Sequence, residues 1–500
     1  MTITHKRQVL TVVLAAICAS FFMVGEAVRG ADAKKARNVI LFIGDGNGFN
    51  SELMGTYYHT GKEWGEVYHK FPVVLGSAHF SIHTHSGGPK DWDPEGNPKD
   101  NLGYVPEEFW KGPEGADWHP YNTGTTDSSA SATAINTGVK TYNGYVGVDI
   151  RKNRLENFAE KNIKAGRAVG IVSTNQICHA TPAGATAHSD NRGNYEALSK
   201  EQINDLALTV LMGSGHPEYE NGVKVNKNAD ELNYQFVGGR ETWEKVKAND
   251  GYKGWSFIDE KSDFAALAES TPDSGKKLPK KLLAVVRCNG DVPPIDGDVD
   301  DPKAMVEKYT QETVDAIPSL TQMTLATLNV VSQNKNGFYV MVEGGSIDHA
   351  NHSRNARNSC LEHTGLAKAI EAAIDWVEKY SSWDETLLIV TADHETGAVW
   401  GDGTYTDENN NGKWDSDKDT FEGFEKIEKT AAGEIPAVQY LTTGHTNGLV
   451  PFYAKGAGAK SALDFVRGND KKAGKFWKFS GDFIYNSDVF NVMMKASDLK

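Results

Sequence analysis

Four uninterrupted apolar runs have the pattern of strands that are buried on both faces. These runs are Asn38-VILFIG-Asp45, Ala168-VGIVSTN, Gly337-FYVMVEGG and Leu387-LIVTADH. Between them, apolar residues recur at helical spacing, which predicts helices over Leu155–Ala165, Leu320–Val331 and Leu366–Tyr380. Strands that alternate with helices predict an α/β fold, an α/β/α sandwich with a large, mostly parallel central sheet.

Acidic and histidine side chains stand where three of these runs end. The first run ends at Asp45, the third leads into Glu343 and Asp348, and the last ends at Asp393 and His394. The carboxyl ends of parallel strands border one crevice, so these side chains are predicted to lie together. A buried carboxylate costs free energy unless it is paired or holds a cation. A single acid there is more often a helix cap, but several on neighbouring strands predict bound metal.

Composition and net charge indicate which kinds of molecule the protein can bind. The 500 residues are 39% hydrophobic and 24% charged, which is ordinary for a globular protein. The formal net charge of −15 at pH 7 gives the chain no general attraction for nucleic acid or anionic membranes. An anionic substrate therefore needs local positive charge, from arginine or from metal ions.

The amino terminus is predicted to be a signal peptide covering residues 1–33. A positively charged start precedes an apolar run over residues 9–24, and small residues allow cleavage after Ala27 or Ala33. A membrane anchor is the alternative, but the run is short for a spanning helix. We therefore expect a periplasmic or secreted protein with no stable membrane anchor.

Residues 34–500 are predicted to form one domain, because no internal repeat or long linker interrupts the pattern. Two segments have the composition of surface insertions. The first, about residues 83–120, is rich in Gly, Pro and Trp, and the second, about residues 401–434, is rich in acids and Asn.

One stretch of the second insertion resembles part of a calcium-binding loop. Oxygen side chains alternate at Asp407, Asn409 and Asn411, and Asp415 stands at the ninth position. Lys418 occupies the twelfth position, where an EF-hand needs a bidentate Glu, so the full motif is excluded. The stretch predicts either a Ca²⁺ site on these four residues or a solvated acidic hairpin.

Residues 122–134, NTGTTDSSASATA, contain no bulky apolar side chain. Composition alone is typical of a flexible connector. The small residues after Asp127 also allow a helix to begin at Ser128, and a helix N-terminus favours both a serine alkoxide and a phosphate. As possible nucleophiles, the pattern leaves Ser128, Ser129 and Ser131.

Seven motifs, in the family's order, resemble those of the alkaline phosphatases. The resemblance runs from about Arg37 to Tyr453 and rests on IGDG (Ile43–Gly46), TDSSASATA (Thr126–Ala134), HATPAG (His179–Gly184), Arg192, VEGGSIDHANH (Val342–His352), TADHETG (Thr391–Gly397) and GHT (Gly444–Thr446). It implies an alkaline phosphatase-like fold and an exported, commonly homodimeric enzyme. The implied reaction hydrolyses small phosphate monoesters to an alcohol and inorganic phosphate.

The resemblance also implies three metal ions held by carboxylates, imidazoles and hydroxyls. Two are expected to be Zn²⁺, one on Asp348, His352 and His445, the other on Asp45, Asp393, His394 and the oxygen of Ser128. The third is expected to be Mg²⁺, with Zn²⁺ as the alternative, on the oxygens of Asp45, Thr181 and Glu343.

The reacting groups follow from the same resemblance. Ser128, directly after an aspartate, is assigned as the nucleophile that becomes phosphoserine, and Arg192 grips two phosphate oxygens. His179 and His349 stand where the enterobacterial form has Asp and Lys, as in the animal enzymes. His179 is expected to contact the third metal through water, and His349 is expected to contact phosphate through water.

Two other functions compete with this one. The first is another hydrolase of the same superfamily, such as a phosphodiesterase or a sulfatase. A sulfatase needs a C-x-P-x-R-like context, which residues 127–130 lack, and a diesterase usually lacks the equivalent of Arg192. The second is a non-catalytic exported metal-binding protein, which is expected to have lost the nucleophile, the arginine or a ligand, and none is missing.

Cysteines and the remaining histidines receive simpler predictions. Cys288 and Cys360 occupy positions that resemble a disulfide pair of the enterobacterial enzymes, whereas Cys178 is predicted to be a free, buried thiol. Three closely spaced histidines lie outside the family motifs and are predicted not to bind metal: His79, His83 and His85.

Overall fold

The computed structural model describes residues 34–82, 104–113, 124–294 and 310–499. The predicted signal peptide, His83, His85 and most of the 83–120 insertion lie outside these residues. Among the helices of the described ranges, none combines the length and the apolar character needed to cross a bilayer.

Eleven strands of the described residues form one central sheet. Numbered along the chain, they are β1 (Asn38–Gly44), β2 (Val73–Ala78), β3 (Ala168–Gln176), β4 (Val210–Ser214), β5 (Ser256–Ile258), β6 (Leu282–Val285), β7 (Phe338–Gly344), β8 (Thr386–Ala392), β9 (Val450–Gly456), β10 (Gly468–Asn469) and β11 (Asp482–Tyr485). The four apolar runs of the sequence correspond to β1, β3, β7 and β8, so these strand predictions are confirmed.

The order across the sheet is β10-β11-β2-β9-β8-β1-β7-β3-β4-β6-β5. β1 pairs in parallel with β7 on one side and with β8 on the other. β9 runs antiparallel to both of its neighbours, β8 and β2, and β10 runs antiparallel to β11 at the edge. The sheet is therefore mostly parallel, as predicted, with one reversed strand inside it.

Helices cover both faces of the sheet. In chain order they are α1 (Phe49–Thr60), α2 (Pro106–Phe109), α3 (Ser128–Thr137), α4 (Phe158–Lys164), α5 (Ala180–Gly184), α6 (Tyr195–Asn204), α7 (Gly239–Lys247), α8 (Lys261–Ala268), α9 (Gln311–Ala316), α10 (Leu320–Val331), α11 (Ser346–His352), α12 (Ala356–Tyr380), α13 (Lys471–Trp477) and α14 (Asn486–Ser497). Single turns of 3-10 helix cover Val67–Lys70, Ala229–Glu231, Gln235–Val237 and Tyr252–Gly254, and a longer one covers Ala459–Phe465.

All three predicted helices are present, but their predicted bounds differ in accuracy. α10 has the predicted bounds, and α12 includes Leu366–Tyr380 but begins ten residues earlier, at Ala356. α4 begins at Phe158 rather than at Leu155, because Asn157 caps it and accepts a hydrogen bond from the backbone N–H of Glu160.

Side chains of β1 alternate between two hydrophobic cores. Ile40 and Phe42 pack in the core beneath α10 and α12. Val39, Leu41 and Ile43 pack in the opposite core, which includes residues of α3, α4 and α14. A strand buried on both faces has no room for a polar face, which explains its continuous apolar run. The molecule is the α/β/α sandwich that the sequence predicts.

Short two-stranded ribbons lie outside the central sheet, and two of them flank or lie within the second insertion. They pair Tyr219–Glu220 with Val223–Lys224, Glu395–Thr396 with His445–Thr446, Val399–Gly401 with Val438–Tyr440, and Tyr405–Thr406 with Thr420–Phe421. The ring of Phe424, in the 401–434 segment, lies 4.2 Å from Trp400 and 5.6 Å from Trp110 between ring centroids. Aromatic packing therefore joins this segment to the described part of the first insertion.

The three cysteines of the described residues are free thiols, so the predicted Cys288–Cys360 disulfide is wrong. Cys288 follows β6, and its Sγ donates to the carbonyl oxygen of Asp291 at 3.0 Å. Cys360 lies inside α12, where its Sγ is 3.8 Å from the carbonyl oxygen of Met54 in α1. The two thiols pack in different cores, which keeps them apart. Cys178 is buried and free, as predicted.

Candidate active site

Three neighbouring strands end level with one another and deliver the acidic residues to one edge of the sheet. Gly44, the last residue of β1, is opposite Gly344 of β7 and Ala392 of β8. Asp45 follows the first of these strands and Asp393 follows the last, while Glu343 lies near the end of β7. The predicted convergence of these carboxylates is therefore observed.

His445 arrives at the same edge by a different route. It lies five residues before the reversed strand β9, in a ribbon that pairs Thr396 with His445. Because β9 is antiparallel to β8, its amino end lies where the other strands have their carboxyl ends. Reversal of this one strand brings the last histidine to the site.

Asp348, His352 and His445 form the first group of predicted ligands. Nε2 of His352 lies 3.2 Å from Oδ2 of Asp348 and 3.2 Å from Nε2 of His445. The other ring nitrogen of each histidine faces a backbone carbonyl, of Thr443 for His352 and of Thr126 for His445. These carbonyls fix the rings so that both Nε2 atoms face the carboxylate, the arrangement usual for histidine ligands.

Asp45, Asp393 and His394 form the second group, together with the nucleophile candidate. Their ligand atoms lie within 4.8 Å of one another, and all three side chains are buried. Nε2 of His394 is 3.4 Å from Oδ1 of Asp45, 3.1 Å from Oδ2 of Asp393 and 3.2 Å from Oγ of Ser128. One imidazole thus contacts two carboxylates and the serine hydroxyl.

The third group contains Asp45, Glu343 and His179, whose ligand atoms also lie within 4.8 Å of one another. Thr181 is fully buried on α5, directly after His179 and Ala180. Glu343 accepts a hydrogen bond from the hydroxyl of Ser173 through Oε2. Asp45 is common to the second and third groups, as expected of a bridging carboxylate.

Buried oxygens without partners test whether these groups fit metal ions. Four oxygens of the predicted ligands are buried without a hydrogen-bond partner among the described residues: Oδ1 of Asp45, Oδ2 of Asp393, Oε1 of Glu343 and Oγ1 of Thr181. Buried polar atoms are normally satisfied, so a cluster of four unsatisfied oxygens is unusual. Divalent cations bind such oxygens, and the residues present fit bound metal.

Electrostatics of the crevice lead to the same conclusion. Burial raises the pKa of Glu343 and of Asp393 to about 7. Burial also raises the pKa of Asp45, and the negative charges of Asp393 and Asp348 add to this effect. Burial alone would raise the pKa of Asp348, but hydrogen bonds with His352 and His445 outweigh it and hold this pKa well below its usual range. Anions crowded in this way need a cation nearby.

α3 begins at Ser128, as the sequence predicts, and Asp127 caps it by accepting from the backbone N–H of Ala130 at 2.9 Å. Ser129 Oγ donates to Asp127, and Ser131 Oγ donates to the backbone carbonyl of Asp393 at 2.7 Å. Of the three candidate nucleophiles, Ser128 is the one whose hydroxyl contacts His394. The first seven residues of the helix have small side chains, and α5 packs closely against this part.

Gly184 shows how close this packing is. A Cβ atom at Gly184 would lie 2.6 Å from Cβ of Ala132. The small residues of residues 122–134 therefore have a packing reason, and the flexible-connector interpretation does not apply to the part that forms α3.

Arg192 and two histidines border the serine. Nη1 of Arg192 donates to Oδ2 of Asp127 at 3.0 Å, and Nη2 lies 3.4 Å from Nε2 of His179. The ring of His349 lies 5.9 Å from that of His179, and its Nδ1 is 2.6 Å from Oδ2 of Asp291. Sequence reasoning missed Asp291, which stands six residues after the end of β6 rather than directly at a strand end.

Two further predictions concern residues outside these groups. His79 is fully buried, with Nε2 2.7 Å from the carbonyl oxygen of Gly448, and none of the three ligand groups includes it. In the second insertion, Asp407 accepts from the backbone N–H groups of Asn411 and Gly412, and Asp415 pairs with Lys418 at 2.8 Å. Calcium binding there, with Asn409, stays a prediction.

The chain is similar in sequence to known alkaline phosphatases. The sequence model described as alkaline phosphatase matches residues 115–497. Alkaline phosphatase H of Pseudomonas aeruginosa is 30% identical over 370 residues, which is 72% of this chain and 70% of the relative. The Escherichia coli alkaline phosphatase is 30% identical over 385 residues, which is 72% of this chain and 70% of the relative. The human tissue-nonspecific isozyme is 27% identical over 404 residues, with 73% and 64% covered.

Solved structures of alkaline phosphatases share the fold. The enzyme of Thermus thermophilus superposes with a TM-score of 0.60 at 20% identity, covering 94% of this chain and 93% of the other. The enzyme of the Antarctic bacterium TAB5 has a TM-score of 0.57 at 20% identity, with 94% and 100% covered. The motifs, the convergent ligand groups, the family match and these relatives agree. The chain belongs to the alkaline phosphatase family of metal-dependent phosphomonoester hydrolases.

Proposed function

We propose that this chain hydrolyses phosphate monoesters through a phosphoserine on Ser128. The observation that carries the proposal is the position of the Ser128 hydroxyl, 3.2 Å from Nε2 of His394, at the beginning of α3. Arg192 lies beside it and is tied to the neighbouring Asp127. A nucleophile, a helix N-terminus and an arginine at one point form a receptor for a phosphoryl group.

Substrate binding would use the guanidinium group first. Nη1 of Arg192 donates to Asp127 and Nη2 faces His179, so the group is already oriented before substrate arrives. Its planar fork can donate to two phosphate oxygens at once, which requires a monoester with free oxygens. His349, on the far side of His179, would contact the third oxygen through water.

The reaction would take place in two displacements at phosphorus. Oγ of Ser128 attacks in line, a P–O bond to serine forms, and the bond to the leaving alkoxide breaks. Water then attacks the phosphoserine from the vacated side, the P–O bond to serine breaks, and inorganic phosphate leaves. Backbone N–H groups at the start of α3 and the Arg192 guanidinium would stabilise the negative charge in both steps.

Metal ions would be held by the three sets of ligands that the sequence predicts. We propose two zinc ions and a third ion, Mg²⁺ or Zn²⁺, on these residues: Asp348, His352 and His445; Asp45, Asp393, His394 and Ser128; Asp45, Thr181 and Glu343. When bound, such ions neutralise phosphate charge and lower the pKa of a coordinated hydroxyl or water.

The proposal also covers export of the protein and its oligomeric state. We propose that residues 1–33 are removed on export, that residues 34–500 act as one catalytic domain, and that the mature protein is a periplasmic or secreted homodimer. Amino-terminal sequencing of the purified protein tests the cleavage after Ala27 or Ala33. Light scattering on the same sample tests the dimer, and a monomeric mass contradicts it.

Hydrolysis of p-nitrophenyl phosphate at alkaline pH tests the main proposal. The purified protein is assayed as isolated, after chelation, and after Zn²⁺ and Mg²⁺ are restored singly and together. We expect activity to disappear on chelation and to return fully only when Zn²⁺ is restored. bis-p-Nitrophenyl phosphate is the matched control, because a preference for this diester contradicts a monoesterase.

A further inference from the structure

Asp291 reaches the candidate active site from a loop outside the family motifs. The loop follows β6 and is fastened to the ends of two neighbouring strands. The carbonyl oxygen of Cys288 accepts from the backbone N–H of Gly215, just after β4, at 2.9 Å, and Val292 donates to the carbonyl oxygen of Thr174 in β3 at 2.7 Å. Asp291 lies between these two anchors, so the loop holds it in a defined place.

The buried thiol of Cys288 fastens the loop a third time. Its Sγ lies 3.0 Å from the carbonyl oxygen of Asp291 and 3.5 Å from that of Gly290. Burial raises the pKa of this thiol to about 12, so it keeps the proton that it donates. The cysteine therefore supports Asp291 as a hydrogen-bond donor and needs no disulfide partner for that role.

The carboxylate of Asp291 in turn holds one edge of the His349 ring. Its Oδ2 is 2.6 Å from Nδ1, and both side chains remain partly exposed, Asp291 by 36% and His349 by 42%. Within the described residues, Nε2 of His349 has no hydrogen-bond partner. The two nitrogens lie on different edges of the imidazole, so an acceptor at Nδ1 fixes where Nε2 points.

We propose that Asp291 is a positioning residue that holds His349 so that its Nε2 serves the phosphate site beside Arg192. This inference rests on the proposed phosphomonoesterase function. Without the carboxylate, the His349 side chain can rotate, and ordering it again on binding costs free energy. The contact would be made with substrate and with product phosphate alike. Loss of Asp291 should therefore weaken binding more than it slows the chemical step.

Three variants separate positioning from general damage. For Asp291→Ala, we expect KM for p-nitrophenyl phosphate and the dissociation constant of inorganic phosphate to rise about tenfold, with kcat changed less than about threefold. Asp291→Asn keeps an oxygen that can accept from Nδ1 and should stay within about threefold of the wild type in both constants. Asp263→Ala is the matched control, because it removes a carboxylate on α8 that makes no side-chain hydrogen bond or ion pair within the described residues. Metal content and melting temperature are measured for each variant.

A double mutant shows whether the effect passes through His349. In a His349→Ala background, Asp291→Ala should add no further loss of phosphate affinity, measured by calorimetry with inorganic phosphate. The inference is overturned if Asp291→Ala binds phosphate like the wild type, if Asp291→Asn fails as badly as Asp291→Ala, or if the losses add in the double mutant. A wild-type protein that neither binds phosphate nor hydrolyses the monoester refutes the proposed function instead.

Discussion

The hydroxyls of Ser128, Ser129 and Ser131 have different surroundings, and this difference decides their expected roles. Ser129 donates to the capping Asp127, and Ser131 donates to the carbonyl of Asp393, so both are engaged in holding the structure. Ser128 instead contacts His394. We expect Ser128→Ala to lower kcat by about a thousandfold or more, because the attacking oxygen is lost.

Ser129→Ala and Ser131→Ala are the matched controls and should keep activity within about tenfold of the wild type. Rapid acid quenching with labelled monoester, followed by peptide mapping, identifies the phosphorylated residue. Label on a peptide that lacks Ser128 would refute the assignment.

Glu66 illustrates a buried acid stabilised by histidines away from the site. It is 5% exposed, with Oε1 3.0 Å from Nδ1 of His59 and 3.7 Å from Nε2 of His363. Burial alone would raise its pKa, but the interactions with His363 and His59 outweigh burial and lower the pKa from 4.5 to about 2. A carboxyl group whose pKa is lower in the folded protein than in the unfolded chain stabilises the fold at pH values above its unfolded pKa. This stability is lost as the pH falls towards 2.

A pH series on Glu66→Gln tests this linkage. We expect the substitution to lower the free energy of unfolding by about 3 kcal/mol at pH 7, with the difference constant down to about pH 5. Below pH 4.5 the difference should shrink, by about 1 kcal/mol at pH 4. Urea unfolding of both proteins at equal metal content measures it. A difference that grows as the pH falls contradicts the argument.

At the scale of elements, Gly55 sets how closely α1 approaches α12. A Cβ atom there would lie 2.3 Å from Cγ of His363, whose side chain is fully buried. Alanine is the better helix former by about 1 kcal/mol, but overpacking of this kind usually costs more. We expect Gly55→Ala to lower the free energy of unfolding by about 1–3 kcal/mol.

The effect of Gly55→Ala on the free energy of unfolding should depend on the presence of the His363 ring. In a His363→Ala background, the same substitution should be neutral or stabilising, because the clash is gone and the helix propensity remains. Chemical unfolding of the four proteins of this cycle gives the coupling. If Gly55→Ala lowers the free energy of unfolding equally in both backgrounds, the strain does not come from contact with His363.

Long buried elements could be predicted from the sequence, and short ones could not. β1, β3, β7 and β8 are central strands, so their apolar runs are unbroken. β5 has only three residues and β10 only two, too few for any periodicity to appear. The bridge between Cys288 and Cys360 was expected from resemblance alone, and packing places the two thiols in different cores.

The candidate site divides in the same way. Acids at strand ends could be read as metal ligands because parallel strands finish at one edge. His352 lies on a helix and His445 precedes an antiparallel strand, so no strand-end rule marks them and only the family motifs did. Asp291 shows the limit of both methods, since its importance lies in a contact with His349 that sequence spacing does not reveal.

Metal removal is the test that concerns the whole molecule. The ligand groups join β1, β7, β8 and the segment before β9, so bound ions would cross-link the middle of the sheet. We expect chelation to lower the melting temperature by roughly 5 °C or more, because ions that bind only the folded state stabilise it. Restoring Zn²⁺ should reverse the change.

The size of that change should rise with pH. Without metal, Glu343 and Asp393 have a pKa near 7, above their unfolded values, so ionising them destabilises the metal-free fold as the pH rises from about 4 to 7. Metal affinity also increases as ligands lose protons. Calorimetric scans of both forms at pH 5.5 and pH 8 measure the difference, and a larger one at pH 5.5 would be contrary to this account.

The reversed strand β9 has a consequence for how the enzyme is made. His445 lies 400 positions after Asp45. β9 lies between β2 and β8 in the sheet, so β2 cannot join the central strands until β9 has been synthesised. A growing chain therefore carries an anionic, incomplete crevice through most of its synthesis. Any product that stops before residue 445 lacks both the histidine and the strand that closes the middle of the sheet. Activity in a cell extract should therefore report only chains that extend through β9, and products that terminate before residue 445 should be inactive.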